Sequence, residues 1–387
     1  MQITIVSPYH GGSHKAWAEG YRRHSSHEVE LLTLPAQFWK WRMHGAAATL
    51  ARRFREAGRR PDLLLATDML DLSTFLALTR RDTWSIPSAL YMHENQLTYP
   101  LPTQGDRGPM RRQHGERDLH YVFINFASML AANAVYFNSR YHLESLFEAL
   151  PNFLKHFPDY NELQRLPSLR EKSRVLPVGL DLQALEAQRE AAGEQSADRP
   201  PLILWNQRWE YDKNPAAFFQ ALYTVAEEGI PFRLALCGQR FRQRPAEFEE
   251  AQRRLGQQIV HVGYAEPRAY RRLLWQADVT VSTAHHEFFG VSILEAIYCQ
   301  TFPILPRRLS YPELLPAAFH RDCLYESQEG LVQRLRWALT HPGQARRIAA
   351  ELAPTVTRFG WQDLAGRYDQ VLQREVQEAG NVQEVAR

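Results

Sequence analysis

What most constrains this chain is a pattern that runs once and then begins again. "ITIVS" at 3–7 is a short β-rich run that ends in "PYHGGSHKAW", where a Gly-Gly loop opens a helix around Trp17–Arg23. "HEVELLTL" at 27–34 alternates like a second strand, "GAAATLARRFREAG" at 45–58 reads as a helix, and "PDLLLATDM" at 61–69 as a buried strand. "PSALYMHENQ" at 87–96 is a strand ending in a polar cluster, "AVYFNS" a strand between two helices, and "SRVLPVGLDL" at 173–182 one more strand. Strands alternating with helices predict a parallel sheet covered on both faces. The polar segment Glu186 to Pro201 closes in two prolines and reads as a linker or exposed loop. The alternation then restarts with "LILWNQR", "FRLALCG", "IVHVG", "VTVSTA" and "TFPILP" as strands and helical stretches between them. The expectation is α/β: two Rossmann-like domains facing a central cleft. The first covers 1–182 and is completed by a C-terminal helix at about 357–378. The linker is 183–199 and the second domain 200–356, with the extreme tail "QEAGNVQEVAR" frayed.

Charge and cysteine usage exclude little but sharpen the picture. The net charge of +3 is too small to declare a nucleic-acid binder. Basic residues do cluster at Arg52–Arg60, Arg107–Arg117 and Arg240–Arg244, each able to meet phosphates or simply to form a solvated face. Cys237, Cys299 and Cys323 are odd in number, widely spaced and set in apolar sequence, so they read as reduced core thiols of a cytosolic protein. No stretch approaches eighteen apolar residues and the N-terminus lacks a basic, then apolar, leader, so neither a membrane span nor a signal peptide is expected.

In open α/β sheets ligands bind at the carboxyl ends of strands, and the polar oddities fall there. "HHEFFGVSILEA" follows the strand "VTVSTA" and opens a helix whose first N–H groups, near Phe289, Gly290 and Val291, favour a phosphate. Glu287 in the loop and Glu295 in the first turns can accept from vicinal hydroxyls of a sugar or ribose, or merely cap the helix. "NQRWEYDKNP" places Arg208 and Lys213 in a loop, as a phosphate-binding pair or as partners of Glu210 and Asp212. His93 ends an apolar strand and is followed by Glu94, Asn95 and Gln96, a dense set of donors and acceptors, although a lone histidine is also a common structural residue. Gly11 and Gly12 permit a tight turn and close backbone approach, but this is not G-x-G-x-x-G. His10 and His14 lack a carboxylate partner for a metal, and no metal site is expected.

Four segments, "SPYHGGSHKAW", "YMHENQLTYP", "RWEYDKNP" and "HHEFFGVSILEA", in this order and with Glu287-x7-Glu295, resemble the tRNA-queuosine α-mannosyltransferase family of retaining GT-B glycosyltransferases. The likeness runs from residue 5 to about 315. It implies a GT-B fold and mannosyl transfer from GDP-mannose to queuosine at the wobble position of aspartate tRNA. It also implies roles. Arg208 and Lys213 would hold the diphosphate, Glu295 the ribose, and Glu287 with the backbone at Phe289–Gly290 the mannose. Gly263 and Tyr264 would lie against the base, and His93 next to the sugar. Gly11 and Gly12, with His14, would lie near the phosphate, and Glu94, Asn95, Gln96 and Asn138 on the acceptor side. Gln207 departs from relatives that carry glycine there, which bears on the shape of that loop.

The two cations and the helix start would stabilise the departing GDP, so no metal or other cofactor is expected beyond the donor substrate. The expected partners are queuosine-containing tRNA and GDP-mannose, with no membrane and no obligate protein partner. Three rivals stay open: a lipid or glycan acceptor, a non-catalytic tRNA-binding module, and a sugar-nucleotide epimerase on the same fold. A glycosidase using Glu287 and Glu295 as acid and nucleophile leaves Arg208 and Lys213 without a role.

Overall fold

The computed structural model describes residues 1–99, 119–192, 199–238 and 246–385. The described residues up to Leu180, together with those from Phe359 on, form one compact unit; Asp181–Arg358 belongs to another. The family of clusters Arg107–Arg117 and Arg240–Arg244, and Pro100 of the His93 segment, lie outside the described residues.

In the first unit, β1 (Gln2–His10), β2 (Glu28–Pro35), β3 (Leu63–Thr67), β4 (Ser88–Met92), β5 (Ala134–Phe137) and β6 (Ser173–Val175) form a sheet in the order β2-β1-β3-β4-β5-β6. Every pairing is parallel. β3, β4 and β5 are buried along their whole length, as strands covered by helices on both faces must be. The chain leaves β1 toward β2 on one side and returns to β3 on the other, so the order reverses between β1 and β3.

The second unit repeats the plan with β7 (Leu202–Trp205), β8 (Arg233–Cys237), β9 (Ile259–Gly263), β10 (Val279–Val281), β11 (Phe302–Pro306) and β12 (Leu324–Tyr325). Their order is β12-β11-β10-β7-β8-β9, again all parallel, and the reversal lies between β7 and β10. In such sheets the crevice beyond the strand ends at the reversal is where ligands bind.

Three expectations need correction. The helix expected at 45–58 begins earlier, at Trp39, and runs to Ala57. The strand expected over 173–182 pairs only through Val175; beyond it Leu180 bridges to Gly360. The tail is not frayed along its length, because the last helix is continuous from Trp361 to Val385. That helix packs on the first unit through polar contacts. Asp369 accepts from the Tyr21 hydroxyl (2.8 Å), the Ser25 hydroxyl (2.6 Å) and both the amide and hydroxyl of Ser26 (2.8 and 2.6 Å). Burial works against the Asp369 charge, but these four donors outweigh it and hold its carboxyl below the usual range. Further along, Glu375 accepts from Tyr136 (2.6 Å) and pairs with Arg174 (3.1 Å). The Trp361 indole fills the space over Gly20 and Gly179, where any Cβ would collide with it.

Between the units' strands, the segment expected to be linker is partly helical, at Leu182–Glu186 and Arg189–Ala192. Leu185 offers its carbonyl to the Trp275 indole N–H (2.8 Å), and the Arg189 guanidinium lies 5.0 Å from that ring's centroid.

Candidate functional site

In the second unit, the loops that follow β7 and β10 are laced together. The Thr283 hydroxyl donates to the carbonyls of Lys213 (2.9 Å) and Asn214 (2.8 Å), and the His285 amide donates to the Asp212 carbonyl (2.8 Å). Arg308, from beyond β11, braces the second loop through the carbonyls of Thr283 and Ala284. These bonds fix Lys213, whose side chain is 6% exposed, with its ammonium donating to the His286 carbonyl (2.6 Å). The ammonium also pairs with Asp212 (3.1 Å) and Glu287 (3.3 Å). Burial disfavours the Lys213 charge, yet Glu287 and Asp212 overcome it and raise its pKa. Burial likewise disfavours the Glu287 charge, and Lys213 more than offsets this, so Glu287 is ionised more readily than a free glutamate. The nearby His286 is pushed down to about 4, first by burial and then by Lys213. The loop therefore holds a fixed cation and two fixed carboxylates beside a neutral imidazole.

Gly290 starts the helix Val291–Tyr298 with φ +104°, a backbone conformation that a side chain would strain. A Cβ there would also press on Leu314 at 3.1 Å. The Glu287 carboxylate accepts from the Phe289 amide (3.3 Å), so it reaches both the helix start and Lys213. Arg208 is 48% exposed and pairs with Glu210 (3.1 Å). Both salt-bridge partners weighed for Arg208 and Lys213 are thus real. The two pairs differ in kind, one at the surface and one buried.

Glu295 lies in the second turn of that helix and accepts from the Tyr270 hydroxyl (2.8 Å). Tyr270 in turn receives the Asn206 amide (3.3 Å), which also donates to the Ser292 carbonyl (2.7 Å). Burial raises the Glu295 pKa, and the Tyr270 hydrogen bond opposes the rise. Tyr270 and Asn206 were not singled out from the sequence; they come from a helix and a strand end far from Glu295 along the chain. Gly263, φ +106°, closes β9 with no neighbour within 4 Å of where its Cβ would sit, and Tyr264 after it is exposed. Gln207 has none of the positive φ that calls for glycine: its amide reaches across to the Val281 carbonyl (3.3 Å), tying β7's end to β10's.

The first unit's strand ends carry a different set. His93 follows β4, buried, with its ring 4.2 Å from His14 and 4.8 Å from both Trp17 and Tyr91. Its Nε2 has no hydrogen-bond partner among the described residues. Burial, then His14 and His142, hold it neutral, well below the usual imidazole range. Asp68, at the end of β3, accepts from the His93 amide (3.0 Å); burial and Glu94 raise its pKa. Asn138 donates to the His93 carbonyl (2.8 Å) and meets the His142 ring (2.9 Å), so both ends of its side chain position the protein. Asn95 differs: its Oδ1 accepts from the amides of Leu97 and Thr98 and from the Thr98 hydroxyl, while its buried Nδ2 has no hydrogen-bond partner among the described residues. Glu94 accepts from Gln96 (3.1 Å). Gly12 takes φ +51°, and Gly11 is glycine because a Cβ would collide with Ala36. Gly11 caps the helix Gly12–His24, which buries His14.

Known proteins match this arrangement along most of the chain. Residues 2–180 match the family model described as tRNA-queuosine alpha-mannosyltransferase N-terminal, and residues 187–353 match glycosyl transferases group 1. A tRNA-queuosine alpha-mannosyltransferase of Drosophila melanogaster is 33% identical over 342 residues, 86% of this chain and 85% of that protein. The chain belongs to the tRNA-queuosine alpha-mannosyltransferase family. It is a glycosyltransferase. A GDP-mannose-dependent alpha-(1-6)-phosphatidylinositol dimannoside mannosyltransferase of Mycobacterium tuberculosis is 25% identical over 195 residues, 49% of each chain. Among solved structures, sucrose-phosphate synthase of Thermosynechococcus elongatus superposes with TM-score 0.71 at 16% identity, covering 97% of this chain and 99% of that one. The catalytic domain of starch synthase IV from Arabidopsis thaliana gives TM-score 0.69 at 12% identity, covering 97% and 99%. The fold of this mannosyltransferase family member is therefore the two-unit GT-B type. No helix among its described residues is long and apolar enough to cross a membrane.

Proposed function

We propose that the protein transfers mannose from GDP-mannose to queuosine at the wobble position of aspartate tRNA, with retention of anomeric configuration. The observation that carries the site assignment is the buried Lys213–Glu287–Asp212 cluster beside the Gly290 helix start, at the strand-order reversal of the second unit. As the glycosidic C1–O bond breaks, charge grows on the GDP phosphate. Lys213, Arg208 and the N–H groups at the head of helix Val291–Tyr298 face that charge, each such donor contributing about 3–4 kcal/mol to the transition state. The mannosyl C1–O bond to the acceptor forms on the face the phosphate leaves, and the acceptor hydroxyl's proton passes to the departing phosphate oxygen. Glu287 holds the mannose, aligned by its pairing with Lys213. Glu295, held by Tyr270, takes the ribose, and Gly263 with Tyr264 lies against the base. In the first unit, His93 is a neutral imidazole able to hydrogen-bond through Nε2 without adding charge, with Gly11, Gly12 and His14 at the same strand ends.

The transfer needs no metal in this account, because the two side-chain cations meet the leaving charge. A cytoplasmic location belongs to the same reading. A lipid acceptor is the second reading, favoured by the half-chain likeness to the Mycobacterium tuberculosis enzyme. The deciding experiment is mass spectrometry of queuosine-tRNA incubated with the protein and GDP-mannose, GDP-glucose or UDP-glucose in turn, with chelator present. A hexose mass on queuosine with GDP-mannose is the expected result. No modified tRNA from any donor would overturn the proposal.

A further inference from the structure

The functional reading leaves one loop of the first unit unexplained. Phe38 is 76% exposed and Trp41 64% exposed, large aromatics that a folded surface ordinarily covers. Several local features keep them there. Phe38 opens the helix Trp39–Ala57 at φ +50°, a conformation an L residue adopts at a cost. Gly45 sits one turn after Trp41, and a Cβ there would strike the indole at 2.9 Å, so the indole lies against bare backbone. Arg42 donates to the Pro35 carbonyl (3.1 Å), pinning the loop to the end of β2. Pro35 is paired with His10, and Ala36 fills the space at Gly11, so the loop borders the Gly11–Gly12 turn at the carboxyl edge of the sheet.

The chemistry of this loop is cationic as well as aromatic. No aspartate or glutamate occurs between Glu30 and Glu56, and after Phe38 the run "WKWR" alternates rings with charges. The Lys40 ammonium lies 5.6 Å from the ring centroids of both Trp39 and Tyr121. By contrast, four of the five arginines in the cluster that follows are already engaged. Arg52 pairs with Glu56, Arg55 with Asp82 and Arg59 with Glu30, and Arg53 donates to the Thr33 carbonyl.

We propose that Trp41 and Phe38 form a stacking platform for an unpaired base of the RNA loop that carries the acceptor nucleoside, with Lys40 meeting the adjoining phosphate. The inference rests on the tRNA reading above. Every base has a π-face, so an exposed indole beside a cation suits single-stranded RNA without demanding one sequence. Phe38 caps the helix and Trp41 lies in its first turn, so both exposed aromatics belong to one helix start.

The test is fluorescence anisotropy with the full chain and a labelled tRNA anticodon stem-loop free of modified nucleosides, alongside mannosyl-transfer kinetics. Trp41→Ala should weaken RNA binding about tenfold, and Trp41→Phe should restore it to within about twofold. Phe38→Gly should weaken binding while the melting temperature holds or rises, since glycine tolerates the positive φ. Lys40→Gln should lower the slope of log K against log salt by about one, and Trp41→Ala should leave that slope unchanged. In turnover, Trp41→Ala should raise the KM for tRNA and not that for GDP-mannose. If Trp41→Ala and Phe38→Gly both bind the stem-loop like wild type, the platform is wrong and the patch belongs to a protein partner; continued mannosylation by the same preparations would leave the function standing. If wild type neither binds the stem-loop nor modifies tRNA, the function fails and the platform fails with it.

Discussion

The strand-order reversals of the two units share a topology and oppose each other in chemistry. Beyond β7 and β10, buried Lys213 and half-buried Glu287 keep their charges: Glu287 and Asp212 sustain Lys213, and Lys213 sustains Glu287. Beyond β1, β3 and β4, burial wins: His93 is held neutral, and Asp68 has its pKa raised. The difference follows from neighbours rather than from depth. Lys213 has two carboxylates within ion-pair distance, whereas His93 is packed against His14, Trp17 and Tyr91. A sugar nucleotide carries a diphosphate and needs fixed charge; a neutral hydroxyl acceptor does not. In the proposed function the end that holds the Lys213–Glu287 pair takes the donor, and the end that holds neutral His93 takes the acceptor.

The contrast is most exposed to Lys213→Met. Removing the lysine strands the buried Asp212 carboxylate and the half-buried Glu287 carboxylate, and the second unit should lose about 3–5 kcal/mol of stability. Chemical denaturation followed by a probe in that unit reads the loss, and mannosyl transfer should vanish as well. His93→Asn removes no charge and should cost clearly less; equal losses at the two positions would break the comparison.

A smaller effect comes from pH. His286 has a folded pKa of about 4 against an ordinary value near 6.5. The unfolded chain therefore takes up a proton first as pH falls, and stability drains from about pH 6.5 down to about 4, by about 2 kcal/mol at pH 5. His93, also depressed, adds loss of the same sign in the first unit. Denaturation midpoints measured from pH 7 to 5 should fall in wild type and fall less in His286→Gln. A flat profile would mean that His286 is not buried neutral.

Smallest is Asn138→Ala, which removes the donor to the His93 carbonyl and the partner of His142. The cost should be about 1–2 kcal/mol. Because Asn138 positions His93 rather than touching substrate, turnover should fall while the KM for GDP-mannose stays the same. A raised KM for GDP-mannose would place Asn138 at the donor instead.

Local sequence carried the alternation of elements and the placing of polar residues at strand ends, since both are written in adjacent residues. Gly290 and the helix after it, Lys213 in its loop and His93 after its strand are all found where the pattern puts them. What the sequence hid is pairing at a distance. Nothing near Glu295 announces Tyr270 or Asn206, and nothing near Arg55 or Arg59 announces Asp82 or Glu30. The bonding capacity of Asn138 is visible in the sequence, but its use on His93 and His142 is not. The early start of the helix at Trp39 was missed because Phe38 takes a positive φ that no proline or glycine marks. The last helix, expected to about 378, runs on to Val385; the polar composition of that stretch, which reads as frayed, hid the extension.

In the proposed function the charged end holds the donor, with Glu295 on the nucleotide and Glu287 on the sugar. Calorimetric titration of GDP, in chelator, into wild type, Glu295→Gln, Glu287→Gln and His93→Asn tests it most directly. Wild type should bind, and Glu295→Gln should bind more weakly by about 1.5–3 kcal/mol, the worth of a charged hydrogen bond. Glu287→Gln and His93→Asn should bind GDP as wild type does, although Glu287→Gln should lose turnover because the mannose is no longer held in line. Equal loss of GDP affinity in the two glutamate variants, or a loss in His93→Asn as large as in Glu295→Gln, would contradict it.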